Sequence, residues 1–125
     1  GVDWLWLEGD DPRAAEADDR VRLLAPFDPV VWDRDRFEAL WGWTYRFEAY
    51  TPVAKRKLGY YALPLLHRDE VVGWANVDAG DVQVGFVRPD ARRRRGLLQG
   101  LDEEIAHLRD FLGASLALRP RGAGQ

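Results

Sequence analysis

Apolar and polar residues alternate most clearly in the middle of the chain. From Trp43 to Tyr50 the odd-numbered positions are aromatic or apolar, and Arg46 and Glu48 share the opposite, polar side. Because successive side chains of a strand point to opposite faces, this period of two predicts a β-strand over Trp43–Tyr50.

Three later segments have the length and composition of strands, and only short turns separate them. Pro64 within the first of them indicates an edge strand or a bulge. Strands joined by short turns form antiparallel meanders. The predicted strands are Tyr60–His67, Glu70–Val77 and Val82–Val87, with turns at Arg68-Asp69 and Asp78–Asp81.

Two segments have the apolar spacing of helices. The first runs from Arg34 to Leu40 or Trp41, with Asp33 as a plausible N-cap and Gly42 as its end. The second is long, from about Arg92 to Leu112, and carries leucines and one isoleucine at spacings of three and four. Gly113 is expected to end it.

The two ends of the chain carry weaker signals. Trp4–Glu8 has the pattern of a short strand, and the acidic Gly9–Asp19 segment is expected to be an exposed loop. Val21–Phe27 is apolar and extended, and the Asp28-Pro29 step predicts a turn. The tail Arg119–Gln125 is expected to be disordered.

These elements predict an α+β fold. We expect a small antiparallel β-barrel or bent sheet, with one short helix and a C-terminal helix packed on it. The 125 residues, 46% of them hydrophobic, suffice for one core, so residues 1–118 are interpreted as a single domain.

The amino-acid composition excludes or disfavours several kinds of functional site. The chain has no Cys, which excludes disulfides, thiolate nucleophiles and cysteine zinc sites, and only two His, which argues against any metal site. No cofactor-binding motif occurs, so no cofactor is expected. The chain has no segment of membrane-spanning length and no signal-peptide start, which predicts a cytoplasmic protein. Met is absent, even at position 1, and we therefore expect either a processed chain or, in preference, a fragment of a longer protein.

Charge is unevenly distributed. Residues 1–43 contain 5 basic and 11 acidic residues, whereas residues 44–125 contain 13 basic and 10 acidic ones. The basic excess lies in Lys55–Lys57 and Arg92–Arg95. The first cluster is interpreted either as a solvated charge run or as a set of phosphate contacts. The second is interpreted as a solvated surface run or a disordered insertion, with a secondary polyanion contact as the alternative.

Aromatic residues surround the first basic cluster. The segment Pro26–Pro64 holds three tryptophans and all four tyrosines. Rings beside fixed cations suit a nucleic-acid strand, but they also suit a core. We expect Trp32, Trp41, Phe47 and one of Tyr60 and Tyr61 in the core. The candidate DNA-binding residues are Arg46, Lys55, Arg56, Lys57 and Tyr60.

The remaining titratable residues have structural interpretations. The carboxylates of this segment are expected to cap the helix and to pair with arginines rather than to catalyse. His67 and His107 are expected at the surface or at the edge of the core. The carboxylates are Asp28, Asp33, Asp35, Glu38 and Glu48, and the arginines are Arg34, Arg36 and Arg46.

Several motifs resemble the C-terminal region of the YcaQ-like DNA glycosylases, a winged-helix family that repairs DNA interstrand crosslinks. The resemblance covers about residues 4–113. The motifs are LLAPFDPVVWDR at Leu23–Arg34, FEALWGWTYRFEAYTP at Phe37–Pro52, AKRKLGYYALPLL at Ala54–Leu66, the D-x-V-x-G-W step at Asp69–Trp74 and LDEEIAHLRDFLG at Leu101–Gly113.

The resemblance implies a specific function. Family members hydrolyse the N-glycosidic bond of alkylated or crosslinked purines, by attack of water at the sugar C1′ carbon. Their catalytic Gln-x-Gln or Gln-x-Asp motif lies in the N-terminal winged-helix part. The glutamines here, Gln83, Gln99 and Gln125, stand in no such motif, so no catalytic residue is assigned to this chain.

The chain is therefore interpreted as the C-terminal β-barrel-like domain of a DNA-repair glycosylase. Its expected partners are damaged double-stranded DNA and the winged-helix region of the same protein. Alone, the chain is expected to be inactive. The alternative is a structural or protein-interaction module that makes no DNA contact of its own.

Overall fold

The computed structural model describes residues 1–77 and 81–118, with side chains described as far as Gly113. The predicted tail Arg119–Gln125 lies outside the described residues, as does most of the predicted turn Asp78–Asp81. The strands are β1 (Val21–Leu23), β2 (Ala62–His67), β3 (Glu70–Val77) and β4 (Val82–Phe86). The helices are α1 (Pro29–Trp32), α2 (Arg34–Trp41) and α3 (Leu97–Leu118), with 3₁₀ turns at Val53–Lys55 and Ala91–Arg93.

The four strands form one antiparallel sheet in the order β1-β2-β3-β4. His67 of β2 lies between Val21 of β1 and Glu70 of β3, and a bulge interrupts the pairing between Leu65 and Leu66. The predicted meander and the α+β class are confirmed. Between the predicted barrel and bent sheet, the structure decides against the barrel: the four strands form an open sheet with β1 and β4 at its edges.

Helix α3 covers one face of the sheet. Leu97, Leu101 and Ile105 of the helix pack on Val21 and Leu65 in a buried cluster. Gly100 permits this close approach, because a Cβ at that position would lie 2.6 Å from Cγ2 of Val21. The predicted packing of the C-terminal helix on the sheet is confirmed.

Helix α2 and the aromatic segment that follows it cover the other face. Phe37 is 1% exposed, and its ring centroid lies 4.9 Å from Trp41, 5.0 Å from Trp43 and 5.8 Å from Tyr45. The contacts with Trp41 and Trp43 are edge-to-face, a geometry that stabilises aromatic pairs beyond the burial of their area. This second core fixes the segment that carries Arg46.

The capping residues act as the sequence predicts. The Asp33 carboxylate accepts a hydrogen bond from the Arg36 N–H, and Gly42 ends α2 in the left-handed conformation at φ 73°. At the Asp28-Pro29 step the chain forms more than a turn, because Asp28 caps the single-turn helix α1 and Pro29 is its first residue.

Two predicted strands are wrong. Trp4–Glu8 forms no strand, and Leu5 is 95% exposed. Trp43–Tyr50 also forms no strand: Trp43 and Tyr45 bind the sheet through their side chains, and the segment ends in a turn at Ala49-Tyr50. An alternation of apolar and polar residues with a period of two indicates which side chains are buried. It does not show that the backbone pairs with another strand.

The bounds of the long helix also differ from the prediction. Gly96 has a left-handed backbone conformation, with φ 79°, and separates the 3₁₀ turn from the α-helix. Helix α3 therefore begins at Leu97 instead of Arg92. Gly113 does not end the helix, which continues to Leu118. Within the described residues, no helix is both long and apolar enough to cross a membrane.

Candidate nucleic-acid interface

The aromatic segment is bound to the sheet by its side chains. The Tyr45 hydroxyl donates a hydrogen bond of 2.8 Å to the Ala62 carbonyl, and the Trp43 indole N–H donates one of 3.1 Å to the Val71 carbonyl. Burial raises the pKa of the Tyr45 hydroxyl, which therefore stays protonated as a donor. Because Tyr45 and Phe47 turn toward the core, Arg46 between them is exposed.

Glu48 anchors the loop that carries the basic cluster. Its carboxylate is 5% exposed and accepts hydrogen bonds from the backbone N–H groups of three successive residues. The distances are 2.9 Å to Lys57, 2.8 Å to Leu58 and 3.1 Å to Gly59. Successive N–H groups of this kind form a concave anion site, and here the anion belongs to the protein itself.

The protonation state of Glu48 follows from these bonds. Burial by itself would raise the pKa of the carboxyl group, but the three N–H groups and the Lys57 charge outweigh burial and leave the pKa below its ordinary value. Glu48 is therefore a carboxylate at neutral pH.

Gly59 and Asn76 fix the exit of this loop. Gly59 has φ 124°, and a Cβ there would lie 2.9 Å from the Asn76 side chain. The Asn76 amide oxygen accepts a hydrogen bond of 2.9 Å from the Tyr61 N–H. Glu48 and Asn76 thus hold the two ends of the segment from Lys57 to Tyr61.

Three of the predicted DNA-binding residues meet in one groove. Arg46, Lys55 and Lys57 line a cavity of about 540 Å³, which we call the cationic groove. Among the described residues, none of the three forms an ion pair with a carboxylate. The rest of its lining is Thr44, Glu48, Tyr50, Thr51, Pro52 and Leu58.

The other two predicted residues form a separate pair beside the groove. The Arg56 guanidinium carbon lies 5.0 Å from the centroid of the Tyr60 ring, within the range of a cation–π interaction. Arg56 is held by a hydrogen bond of 2.8 Å from its Nε to the Thr51 carbonyl. The sequence identifies Lys55, Arg56 and Lys57 as cations, but it does not predict that the Arg56 side chain lies apart from the other two.

A family model described as DNA glycosylase AlkZ-like matches residues 2–111. This chain belongs to the AlkZ-like DNA glycosylase family. The match confirms the resemblance that the motifs carry and indicates a domain of a DNA-repair protein. No solved structure matches the chain.

The aromatic residues of this AlkZ-like chain divide differently from the prediction. Trp41 and Phe47 pack against the second core as expected. Trp32 was placed in the core and is instead 68% exposed, because only Val31 of the short helix α1 turns inward. Neither Tyr60 nor Tyr61 is buried, which corrects the expectation that one of them is a core residue.

The predicted pairing of the carboxylates with Arg34, Arg36 and Arg46 is not observed among the described residues, whereas the predicted helix caps are. Asp28 and Asp33 cap helices, as predicted. However, Arg36 donates to the Pro29 carbonyl, and Glu48 binds backbone N–H groups and not Arg46. Glu48 is a single acidic residue in an aromatic segment, and this position marks it as unusual in the sequence. Its hydrogen-bond partners lie in a loop whose position relative to that segment the sequence does not predict.

The second basic cluster contributes one structural residue. Arg94 donates a hydrogen bond of 3.0 Å to the Glu70 carboxylate and lies 3.9 Å from Asp90. Its three neighbours, Arg92, Arg93 and Arg95, are exposed, as expected of a solvated run.

His67 is a core residue of this AlkZ-like chain, which corrects its predicted place at the surface or core edge. It is 1% exposed, and neither ring nitrogen has a hydrogen-bond partner. Burial, and then the charges of Arg68 and Arg94, lower the pKa of its imidazole. Within the described residues, no three side chains of His, Asp or Glu come together in a way that could hold a metal ion.

Proposed function

We propose that this domain supplies a DNA-holding surface to a repair glycosylase that removes alkylated or crosslinked purines by hydrolysis of the N-glycosidic bond. The observation that carries the proposal is the meeting of Arg46, Lys55 and Lys57 in one groove of a chain from the AlkZ-like DNA glycosylase family. Side chains of Lys and Arg bind DNA phosphates without reading base sequence.

Electrostatics support the groove as the contact. Among the described residues, Glu48 is the only carboxylate that lines the groove, and it is buried and engaged by backbone N–H groups. A cation that has no carboxylate partner is available to a phosphate, and beside DNA it displaces condensed counterions. The chain as a whole has a net charge of −3, so an attraction to DNA must come from a local surface of this kind.

Catalysis is assigned to another part of the parent protein. The chain contains no Gln-x-Gln or Gln-x-Asp motif, and we propose that a winged-helix region carries it. That region would supply attack of water at the sugar C1′ carbon, and the domain described here would dock on it and hold damaged duplex. The isolated chain would release no purine. A repair role is consistent with the expected cytoplasmic location.

The exposed apolar side chains favour docking on another region. Trp4, Leu5, Trp6 and Leu7 are all exposed, and Phe27 and Trp32 add a second apolar area. Exposed patches of this kind commonly mark protein contacts. The same observation supports the second candidate function, a protein-interaction module in which the cationic groove is idle.

A DNA titration separates the two candidates. Binding of a short labelled duplex would be compared between the wild-type chain and a triple variant, Arg46→Ala, Lys55→Ala and Lys57→Ala. The DNA-holding function predicts a loss of affinity of roughly tenfold or more at low salt.

A second triple variant provides the matched control. Arg92→Ala, Arg93→Ala and Arg95→Ala remove the same charge from exposed positions outside the groove and leave the Arg94–Glu70 pair intact. A small effect of the control beside a large effect of the groove variant supports the proposal. Equal losses in both variants, or no DNA binding by the wild-type chain, would refute the groove.

A further inference from the structure

Three tyrosines lie exposed beside the cationic groove. Tyr50 is 92% exposed, Tyr60 58% and Tyr61 44%, although a tyrosine ring usually buries much of its surface. We call Tyr50, Tyr60 and Tyr61 the tyrosine ledge. Tyr50 also lines the groove, whereas phosphate contacts there leave Tyr60 and Tyr61 without an occupant.

Contacts with Phe47 and Asn76 hold Tyr61 of the ledge in place before any ligand arrives. The Phe47 ring centroid lies 6.3 Å from that of Tyr50 and 5.3 Å from that of Tyr61, and both contacts are edge-to-face. The Tyr61 N–H is bound to Asn76. A preorganised ring loses little conformational entropy on binding, which favours a ligand that stacks.

Tyr60 adds a cation to the ledge. Arg56 lies 5.0 Å from its ring centroid and is fixed by the Thr51 carbonyl, and more than half of the Tyr60 side chain stays accessible. A ring supported by a guanidinium offers stacking together with a positive charge. This combination matches a nucleobase attached to a phosphate backbone.

A cavity lies next to the rings of Tyr60 and Tyr61. Tyr60, Tyr61, Asn76, Val77 and Leu112 line a space of about 300 Å³. This volume is at the lower end of ligand pockets, which span roughly 300–1,000 Å³. Its walls are mainly apolar and aromatic, with one amide, and they suit a flat, partly polar group.

Stacking on the tyrosine ledge requires a base whose face is exposed, and this requirement decides which form of DNA can bind there. Inside a duplex, the faces of the bases are covered by their neighbours in the stack, and only an unpaired base presents a face to a tyrosine. We propose that this surface binds DNA with unpaired bases, with phosphates in the cationic groove and one or two bases on the tyrosine ledge. The inference rests on the proposed function and specifies its ligand.

The test compares the affinity for single-stranded DNA with that for duplex DNA, with and without the aromatic ring of Tyr60. Affinities for a labelled oligothymidylate and for a duplex of equal length would be measured with the wild-type chain, Tyr60→Leu and Tyr60→Phe. We expect Tyr60→Leu to weaken single-strand binding by roughly fivefold or more and duplex binding by less than about twofold. Tyr60→Phe retains the ring and should stay within about twofold of wild type for both.

Tyr50→Leu gives a second measurement at a position too exposed to be needed for folding, and thermal unfolding would verify all variants. Equal losses for both DNA forms, or no loss with either leucine variant, would overturn the inference. If duplex binding then still depends on Arg46, Lys55 and Lys57, the proposed function survives. If neither DNA form is bound, both proposals are refuted.

Discussion

The Glu48 carboxylate accepts a hydrogen bond of 2.8 Å from the backbone N–H of Leu58. This bond joins the segment that carries Arg46 to the loop that carries Lys55 and Lys57, across ten positions of the chain. The same carboxylate accepts hydrogen bonds from the Lys57 and Gly59 N–H groups, so one side chain links the two parts of the cationic groove. The internal carboxylate also occupies a cluster of N–H groups that would otherwise attract an anion from solution.

We expect Glu48→Gln to destabilise the protein by about 1.5–3 kcal/mol at neutral pH, the range for a hydrogen bond to a charged group. Urea unfolding would measure it. Because the folded pKa of Glu48 lies below the ordinary 4.5, its stabilisation is complete above that pH and is lost as the pH falls through the folded value. The difference between variant and wild type should therefore shrink in acid.

Glu8→Gln is the matched control, because it removes one exposed carboxylate from a segment outside both cores. It should change the free energy of unfolding by less than about 0.5 kcal/mol. A destabilisation by Glu48→Gln no larger than that of the control would contradict the anchoring role.

His67 predicts a second acid sensitivity. Its two ring nitrogens are buried without partners, and the charged groups around it are Arg68, Arg94, Asp19 and Glu70. Since the pKa of His67 is lowered from 6.5, the unfolded chain binds a proton that the folded chain does not, and stability falls as the pH drops below that value.

His67→Leu should remove this decline and raise stability at about pH 7 by roughly 1 kcal/mol, since no buried nitrogen then lacks a partner. The measurement is the free energy of unfolding at neutral and mildly acid pH, with His107→Leu at an exposed position as the control. A decline of unchanged slope in His67→Leu would show that other groups cause it.

Tyr45→Phe tests the attachment of the aromatic segment. It deletes the hydrogen bond to the Ala62 carbonyl and leaves that buried acceptor unpaired, while the ring contact with Phe37 remains. We expect a destabilisation of about 1–3 kcal/mol in chemical denaturation. A neutral effect would mean that the ring contacts alone hold the segment on the sheet.

The pairing of β3 with β4 depends on a glycine. A Cβ at Gly73 would overlap the backbone carbonyl oxygen of Gly85 and lie 3.0 Å from the Phe86 Cα. Gly73→Ala is expected to unfold the edge of the sheet, seen as lost amide protection in β4. Gly113→Ala, in α3 with no atom near the added methyl, should instead stabilise by about 0.5–1 kcal/mol.

Sequence pattern predicted the elements whose causes are local. The caps at Asp33 and Gly42 and the meander of β2 to β4 were found because capping and turn chemistry depend on a few neighbouring residues. The strand predicted over Trp43–Tyr50 was wrong, because its alternation reflects a face of the sheet formed by distant residues.

The candidate site was predicted in type but not in arrangement. Arg46, Lys55 and Lys57 were identified by charge, and their meeting depends on Glu48, whose partners lie nine to eleven positions away in a loop. Likewise, nothing in the sequence separates Arg56 from its neighbours, since its direction is set by the Thr51 carbonyl and the Tyr60 ring.

The central claim is that the groove neutralises phosphates, and the dependence of DNA affinity on salt tests it most directly. Duplex affinity would be measured between about 50 and 200 mM salt for wild type and for the Arg46, Lys55 and Lys57 triple alanine variant. Each phosphate contact contributes about 0.9 to the slope of log affinity against log salt, so the variant should lose roughly 2–3 units of slope. An unchanged slope in the variant would contradict the account.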